Sequence, residues 1–149
     1  MMDREQFGSD ANVVSLKVDR KKIGAIIGSG GKNIKEIVRL TGTKIDVKDD
    51  GSVKVIGEAG PKMDKAVLWV KTLAGEIEKG MQFQGKIKKI LEFGIFVELV
   101  PGKDGLLHIS SIPKEHQEQM DLYYQIGAPL NVAIENYDKF TGRIKLRFS

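Results

Sequence analysis

Residues that could bind phosphate are concentrated in one short glycine-rich segment. Its glycines, Gly28, Gly30 and Gly31, allow an anionic ligand to approach backbone N–H groups closely, and Lys32 adds a positive charge. A P-loop would need Ser or Thr at the next position, and a dinucleotide-binding loop would need glycine or alanine there, but this sequence has Asn33. Both cofactor-binding loops are therefore excluded. A loop that admits the backbone of a nucleic acid remains.

Aromatic side chains that could stack on nucleic-acid bases occur in the second half of the chain. Alternation along residues 93–99 directs Ile95, Val97 and Leu99 into a core. It leaves Phe96 facing outward, and stacking on an aromatic ring contributes about 1–3 kcal/mol per base. The last strand alternates in the same way, burying Ile144, Leu146 and Phe148 while exposing Arg143, Lys145 and Arg147. The second half is therefore predicted to present an aromatic ring and a basic stripe.

The residue types of a hydrolytic triad also occur, as His108, Ser110 and Asp138. The sequence has no nucleophile-elbow motif, and its two histidines lack metal-site spacing such as His-Glu-x-x-His. His116 lies in a polar stretch and is expected to be exposed. We therefore predict no catalytic residue, no metal ligand, no cofactor and no small-molecule substrate for this chain.

Apolar periodicity predicts the elements that hold the glycine-rich segment. A strand at residues 13–18 is followed by a helix through residue 27, and a second helix ends at Thr41-Gly42. Two strands at residues 44–48 and 52–56 are joined by a hairpin turn at Asp49-Asp50-Gly51. A last helix begins at Pro61 and extends to about residue 78. The order β-α-α-β-β-α therefore places the glycine-rich segment between two helices.

After Gly80 the sequence pattern changes to short strands in which apolar and polar residues alternate. Strands are predicted at residues 82–91, 95–99, 105–109, 130–137 and 143–148, with a polar crossing at 113–125 that could hold a short helix. Five strands with one insertion are typical of a Greek-key OB-fold barrel. The predicted fold class is therefore α+β, with a disordered leader or linker stub at 1–11, a first domain at 12–75, a linker at 76–80 and a second domain at 81–149.

Composition sets the broad class of the protein. A chain of 149 residues that is 41% hydrophobic can form two small cores. The absence of cysteine excludes disulfides and Cys-ligated zinc and is typical of a reducing compartment, so a cytoplasmic location is predicted. Neither a membrane-spanning run nor a signal peptide is present, so no membrane partner is expected.

Positive charge is concentrated in the first half: residues 12–79 hold 14 basic and 9 acidic residues, against 9 and 8 in residues 80–149. Such an excess is also typical of a solvated surface, so the motifs decide the function.

The first half resembles the KH domain family. Residues 26–34, Ile-Ile-Gly-Ser-Gly-Gly-Lys-Asn-Ile, satisfy the signature Val/Ile-Ile-Gly-x-x-Gly-x-x-Ile, and the element order is that of a type I KH domain. The resemblance implies that the loop holds an RNA backbone. Ser29 stands where many KH loops carry Lys or Arg, and Lys32 and Lys21 are expected to compensate. The expected site comprises Gly28, Ser29, Gly30, Gly31, Lys32, Lys21, Lys22 and Lys35, with Lys17, Arg20 and Arg39 adding charge and one edge of Ile27, Ile34 and Ile37 lining a groove for bases.

The second half resembles the S1 family of RNA-binding domains, which are OB-fold barrels. The resemblance is carried by Phe-Gly-x-Phe-Val at residues 93–97, Gly-Leu-x-His-x-Ser at 105–110 and the late residues Asp138 and Arg143. It implies that two aromatic rings and a histidine form a stacking platform, which the late Asp and Arg complete. The expected face comprises Phe93, Phe96, His108, Asp138, Arg143, Lys86 and Lys145.

The order of the two domains, KH and then S1, resembles the C-terminal part of the bacterial polyribonucleotide nucleotidyltransferase (polynucleotide phosphorylase) family. Transcription elongation factors and archaeal exosome caps place S1 before KH. The resemblance implies single-stranded RNA as partner and a homotrimeric parent in which a phosphorolytic 3′–5′ exoribonuclease core degrades mRNA. Mg²⁺ and phosphate would bind only to that core, which this chain lacks, and a ribonuclease E degradosome is a further implied partner. The alternatives are a freestanding KH-S1 RNA-binding protein acting in translation or transcription, and a scaffold that uses the barrel for protein contacts.

Overall fold

The computed structural model describes residues 11–149, with Ala11 described by its main chain alone. The leader predicted at residues 1–11 lies outside the described residues, apart from that main chain. The chain divides into two compact units between Glu76 and Ile77. Each unit has its own buried apolar core and is described by itself.

Three strands of the first unit form one antiparallel sheet: β1 (Ala11–Lys17), β2 (Lys44–Val47) and β3 (Ser52–Glu58). Their order is β1-β3-β2, so β3 is the central strand. The helices of this unit are α1 (Ile23–Ile27), α2 (Lys32–Thr41) and α3 (Pro61–Leu73), and 3₁₀ turns at Arg20–Lys22 and Ser29–Gly31 flank α1. The predicted β-α-α-β-β-α order is confirmed.

The core of the first unit lies between its helices and the central strand. α1 packs against α2, α2 packs against α3, and α3 packs against β3. The fully buried side chains of this core include Ile26, Ile37, Val53, Val55 and Val70. Because α1 and α2 are both anchored by a fully buried isoleucine, the direction of the glycine-rich segment between them is fixed.

Helix α3 ends at Leu73, so the predicted extension to residue 78 is wrong. Gly75 has a φ of 85°, which ends the helix, and its N–H donates to the Thr72 carbonyl oxygen. The Glu76 N–H donates to the Lys71 carbonyl oxygen, which completes a Schellman motif. Trp69 is half-buried on this helix, with the Lys65 ammonium nitrogen 5.7 Å from the ring centroid.

Five strands of the second unit close into the predicted barrel. They are β4 (Gln82–Leu91), β5 (Gly94–Val100), β6 (Lys103–His108), β7 (Pro129–Tyr137) and β8 (Ile144–Phe148). The order around the barrel is β4-β5-β6-β8-β7, in which β6 and β8 are parallel and the other pairs are antiparallel. The OB-fold prediction is confirmed. The barrel interior holds Ile95, Val97 and Leu99 as expected, together with Ile87, Leu107, Ile134 and Leu146.

Two side chains of the second unit differ from their predicted burial. Phe148 is half-buried rather than buried, because it lies at the end of β8 and stacks on Tyr124 with a centroid distance of 6.3 Å. His116 is half-buried rather than exposed, because its ring stacks on Tyr123 at 3.9 Å and its Nδ1 lies 2.8 Å from the Tyr124 hydroxyl. Burial raises the pKa of Tyr124. These aromatic contacts order the crossing between β6 and β7, which holds the short helices α4 (Lys114–Gln117) and α5 (Met120–Tyr123).

Candidate nucleic-acid interface

The glycine loop, residues 28–31, joins α1 to α2 in the first unit. Gly28, Gly30 and Gly31 have φ values of 77°, 63° and 78°, which lie in the region that favours glycine. The Asn33 amide donates to the Ala25 carbonyl oxygen at 2.9 Å and ties the start of α2 to α1. A Cβ atom at Gly28 would lie 2.7 Å from Cγ of Asn33, so that position excludes any side chain. A fixed loop of this kind leaves its outer surface open to a ligand backbone.

Asn33 has a structural role that the sequence did not indicate. An Asn side chain that donates across eight positions gives no periodic signal, because its partner depends on how the two helices approach. Sequence reasoning therefore found the glycines and missed the side chain that fixes them.

Basic side chains around the glycine loop fall into two groups. Arg39 makes a bidentate ion pair with Glu36 at 2.8 Å per hydrogen bond, and this hydrogen bond and charge raise the pKa of Arg39. Lys17 lies 3.8 Å from the Asp50 carboxylate. The second group consists of Arg20, Lys21, Lys22, Lys32 and Lys35, which form no ion pair with any residue in the described part of the chain. The positive charge available to an anionic ligand is therefore carried by the second group.

The isoleucines near the glycine loop divide between core and surface. Ile37 is fully buried, whereas Ile27 and Ile34 are half-exposed on either side of the loop. Ile27 and Ile34 are therefore the two isoleucines of the predicted edge that remain accessible to a ligand.

The second unit has a groove of about 940 Å³ on the outer surface of its barrel, called here the barrel groove. It brings together six of the seven residues predicted for this face: Phe93, Phe96, His108, Asp138, Arg143 and Lys145. Lys86 is exposed and does not line the barrel groove. Lys86 pairs with Glu98 on β5, and Lys89 lies opposite Phe96 after a register shift in β4 between Ile87 and Lys89.

Two phenylalanine rings lie at one side of the barrel groove. Phe93 is 48% exposed, and its ring centroid lies 6.3 Å from that of the half-exposed Phe96 with the two planes at 90°. Because the planes are perpendicular, the two rings offer differently directed faces. Phe96 pairs with Leu106 on β6, and Leu106 pairs with Lys145 on β8, so one row across the barrel carries an aromatic, an aliphatic and a cationic side chain.

His108 ends β6 next to these rings, with its imidazole orientation fixed. The backbone N–H of Ser110 donates to Nδ1 of His108 at 3.1 Å, and the Ser110 hydroxyl oxygen lies 2.9 Å from the same nitrogen. Because Nδ1 accepts an N–H, the neutral ring carries its proton on Nε2, which is then a hydrogen-bond donor. The imidazole thus supplies a flat face and one donor.

Asp138 shapes the turn between β7 and β8. Its Oδ1 accepts from the backbone N–H groups of Phe140 at 2.9 Å and Thr141 at 3.3 Å, and these bonds lower the pKa of the carboxyl group. Within residues 11–149, Asp138 makes no hydrogen bond to His108, so the residue types of a triad are not assembled. The carboxylate instead holds the turn that delivers Arg143 to the barrel groove.

Charges around the barrel groove are of both signs. Lys145 pairs with Glu135 at 3.1 Å, and Lys88 pairs with Asp104 at 3.1 Å. Arg143 forms no ion pair with a described residue. After the backbone N–H groups of the turn, its charge also contributes to the lowered pKa of Asp138, but no described carboxylate holds it in an ion pair, so Arg143 is more available to a phosphate than Lys145.

Sequence reasoning missed Asn136, whose exposed amide lines the barrel groove. It lies opposite Lys145 only because β7 has a register shift between Ile134 and Asn136, which strict alternation does not reveal. Within the part of the chain that the structure describes, no group of three or more acidic or histidine side chains is placed to hold a metal ion. No described helix is long and apolar enough to span a membrane.

A KH-type fold with an open glycine loop, followed by an OB barrel with an aromatic and basic groove, defines a tandem RNA-binding protein. The KH domain family model matches residues 13–71, and the S1 RNA binding domain model matches residues 76–149. Residues 13–71 therefore belong to the KH domain family and residues 76–149 to the S1 family, and this order matches a KH-S1 fragment of polyribonucleotide nucleotidyltransferase.

Known relatives give the basis for that last comparison. The chain is 40% identical over 142 residues to the polyribonucleotide nucleotidyltransferase of Lachnoclostridium phytofermentans, which covers 95% of this chain. It is 40% identical over 134 residues, or 90% of this chain, to that of Elusimicrobium minutum. The chain spans only about a fifth of either relative, at 20% and 19%. A solved structure of RNase R from Mycoplasma genitalium is similar over 59% of this chain and 16% of its own, with 27% identity and a TM-score of 0.41.

Proposed function

We propose that this chain captures single-stranded RNA for a phosphorolytic 3′–5′ exoribonuclease core that acts in mRNA degradation. The glycine loop would hold the sugar–phosphate backbone, and the barrel groove would stack unpaired bases. The parent would be a cytoplasmic homotrimer that binds Mg²⁺ and phosphate in its core, with a ribonuclease E degradosome as partner. We assign residues 12–75 to the first RNA-binding domain, 76–80 to a linker and 81–149 to the second.

One observation carries the assignment of the barrel groove. Phe93, Phe96 and His108 present aromatic faces in the same groove in which Arg143 has no ion-pair partner among the described residues. Stacking faces and a phosphate-binding cation within one groove are what a single strand requires, because its bases are unpaired and its backbone is charged.

The glycine loop supplies the complementary part of the proposed site. It carries no aromatic ring, but Lys32 and Lys35 follow it on α2, Lys21 and Lys22 precede α1, and a ligand can approach its backbone closely. Contacts of this kind bind any sequence and weaken as salt rises, since they replace counterions on the phosphates.

The proposal is tested by titrating a fluorescent single-stranded RNA across a salt series. The wild-type chain is compared with the double variant Gly30→Asp with Phe96→Ala. Gly30 has open space around it, and Asp and Asn are the side chains that best tolerate its positive φ. Gly30→Asn therefore carries the same backbone strain as Gly30→Asp and is the uncharged control. We expect salt-sensitive binding in the wild type and its loss in the double variant, with unchanged circular dichroism. Absence of wild-type binding at low salt would overturn the proposal.

The link to a phosphorolytic core needs a separate measurement. The complete gene product should release nucleoside diphosphates from RNA in a phosphate-dependent manner, and Phe96→Ala in that product should raise KM for RNA more than it lowers kcat, because the residue acts in capture. A gene product without phosphate-dependent activity would favour the freestanding RNA-binding protein instead.

A further inference from the structure

Phe140 lies on the turn between β7 and β8 and is fully exposed, at 101% of its reference area. No other large apolar side chain among residues 11–149 is as exposed; the next, Ile126, reaches 70%. A buried phenylalanine stabilises a fold by removing apolar surface from water, a gain that this side chain does not make. Its role in the folded chain is therefore not packing.

The turn that carries Phe140 is ordered by its own hydrogen bonds. Oδ1 of Asp138 accepts from the backbone N–H of Phe140 itself at 2.9 Å. The Gly142 N–H donates to the Asp138 carbonyl oxygen at 2.8 Å, and the Asp138 N–H donates to the Arg143 carbonyl oxygen at 2.9 Å. The aromatic ring is thus attached to a closed turn, which lowers the conformational entropy lost when a ligand contacts it.

The position of Phe140 relates it directly to the barrel groove. Its chain neighbours Asp138, Thr141, Gly142 and Arg143 all line the groove, whereas Phe140 does not. The ring therefore lies at the rim, between Lys139 and Thr141 in the chain, and two basic side chains, Lys139 and Arg143, belong to the same turn. A solvated ring next to cations at the edge of a stacking groove is suited to one more base and its phosphate.

We propose that Phe140 is an additional stacking position at the rim of the barrel groove, which takes one nucleotide of single-stranded RNA beyond those held by Phe93, Phe96 and His108. This inference rests on the proposed function of the groove. The site would be indifferent to base identity, because every base offers a flat face and the ring offers no hydrogen bond.

The first test measures affinity against RNA length. Phe140→Ala is compared with wild type on single-stranded RNAs of about 4 to about 16 nucleotides, the range of site sizes of OB-folds. We expect at least about a fivefold loss of affinity for the longer RNAs, equivalent to about 1 kcal/mol, and no loss for the shortest. Leu122→Ala removes another exposed apolar side chain of the same unit, 64% exposed and outside the barrel groove, and should have no effect.

The outcomes separate failure of this inference from failure of the proposed function. Wild-type affinity in Phe140→Ala together with weakened binding in Phe96→Ala would overturn the inference and leave the function standing. Unchanged affinity in both variants would overturn both. An equal loss in Phe140→Ala and Leu122→Ala would overturn the inference as well, since it would report a general surface effect.

A spectroscopic readout tests stacking itself. Trp69 is the single tryptophan of the chain, so the variant Trp69→Phe with Phe140→Trp places the only indole at the rim. Saturable quenching of its fluorescence by single-stranded RNA, absent with a duplex of the same length, is expected. No quenching while RNA binds would overturn the inference and would favour a protein contact at this ring. Because Phe140 is fully exposed, these variants should unfold at the wild-type temperature once Trp69→Phe is matched in the reference.

Discussion

The glycine loop and the barrel groove differ in the kind of atoms they present. The glycine loop offers main chain and ammonium groups, and the unit that contains it has a single aromatic residue between residues 12 and 76, Trp69 on α3. The barrel groove offers rings, while two nearby lysines, Lys88 and Lys145, are engaged by carboxylates. One region is therefore built for charge and the other for stacking, and the two should respond differently to salt and to aromatic substitution.

The largest expected effect tests the stacking half of this comparison. Phe93→Ala with Phe96→Ala removes both rings, and at about 1–3 kcal/mol per stacked base the affinity for single-stranded RNA should fall by at least about thirtyfold. The dependence of log K on log salt should keep its slope, because no phosphate contact is lost. Fluorescence anisotropy across a salt series measures both quantities. Leu122→Ala, an exposed apolar side chain outside the barrel groove, is the control. An unchanged affinity with a changed slope of log K against log salt would contradict the assignment of stacking to the barrel groove.

The next effect tests the charge half. Lys32→Gln with Lys35→Gln should lower affinity at low salt and reduce the slope of log K against log salt by about 1.4, at about 0.7 per contact with a single strand. The same titration serves, with Lys62→Gln on α3 as a control that removes one exposed charge elsewhere in the unit. Equal slopes for the wild type and the double variant would show that these ammonium groups do not contact phosphate.

A smaller effect is expected where the glycine loop is tied to its helix. Asn33→Ala removes the exposed 2.9 Å hydrogen bond to the Ala25 carbonyl oxygen and should cost about 0.5–1.5 kcal/mol of stability. RNA affinity should fall several-fold, since the glycine loop loses its fixed geometry. Urea unfolding followed by Trp69 fluorescence measures the stability, and anisotropy measures the affinity. Wild-type RNA affinity in a destabilised variant would show that binding does not depend on this hydrogen bond.

The smallest effect concerns pH and is expected in both units. Backbone N–H groups lower the pKa of Asp50, through Ser52, and of Asp138, through Phe140 and Thr141. A folded pKa below the ordinary value of about 3.9 means that each turn is stabilised above that value and loses this stabilisation as pH falls through the folded pKa. Amide chemical shifts of Ser52 and Phe140 should therefore each titrate below about pH 4, with no change between neutral pH and pH 5. Asp138→Asn should abolish the titration at Phe140 alone.

Sequence reasoning predicted the two regions to different degrees. The glycine loop is a contiguous motif, so its glycines and lysines were found directly, together with the helices that flank it. The barrel groove is assembled from strands that are distant in sequence, and alternation found its rings because they lie on regular stretches. Lys86 was predicted for the same face, but it pairs with Glu98 and does not line the barrel groove. Asn136 escaped this reasoning because a register shift in β7 places it opposite Lys145. Phe140 escaped it because exposure on a turn leaves no periodic signal.

The end of α3 also could not be predicted from local sequence. Apolar and helix-forming residues continue past Leu73, so local propensity predicted a helix to about residue 78. A single glycine with positive φ and two hydrogen bonds to Lys71 and Thr72 ended it five residues earlier. Capping hydrogen bonds of this kind end a helix even where the following residues favour helix formation. The position of the helix end also depends on the burial of Ala74 and Ile77.

The placement of Trp69 on α3 also gives the two units separate spectroscopic signals. The only indole belongs to the first unit, and all three phenol rings, Tyr123, Tyr124 and Tyr137, belong to the second. Tryptophan fluorescence, excited at wavelengths that tyrosine does not absorb, therefore reports on the first unit alone. Near-ultraviolet dichroism of the tyrosines follows the second. Denaturation recorded by both signals will report, without any introduced label, whether the two units melt as one cooperative block or as two.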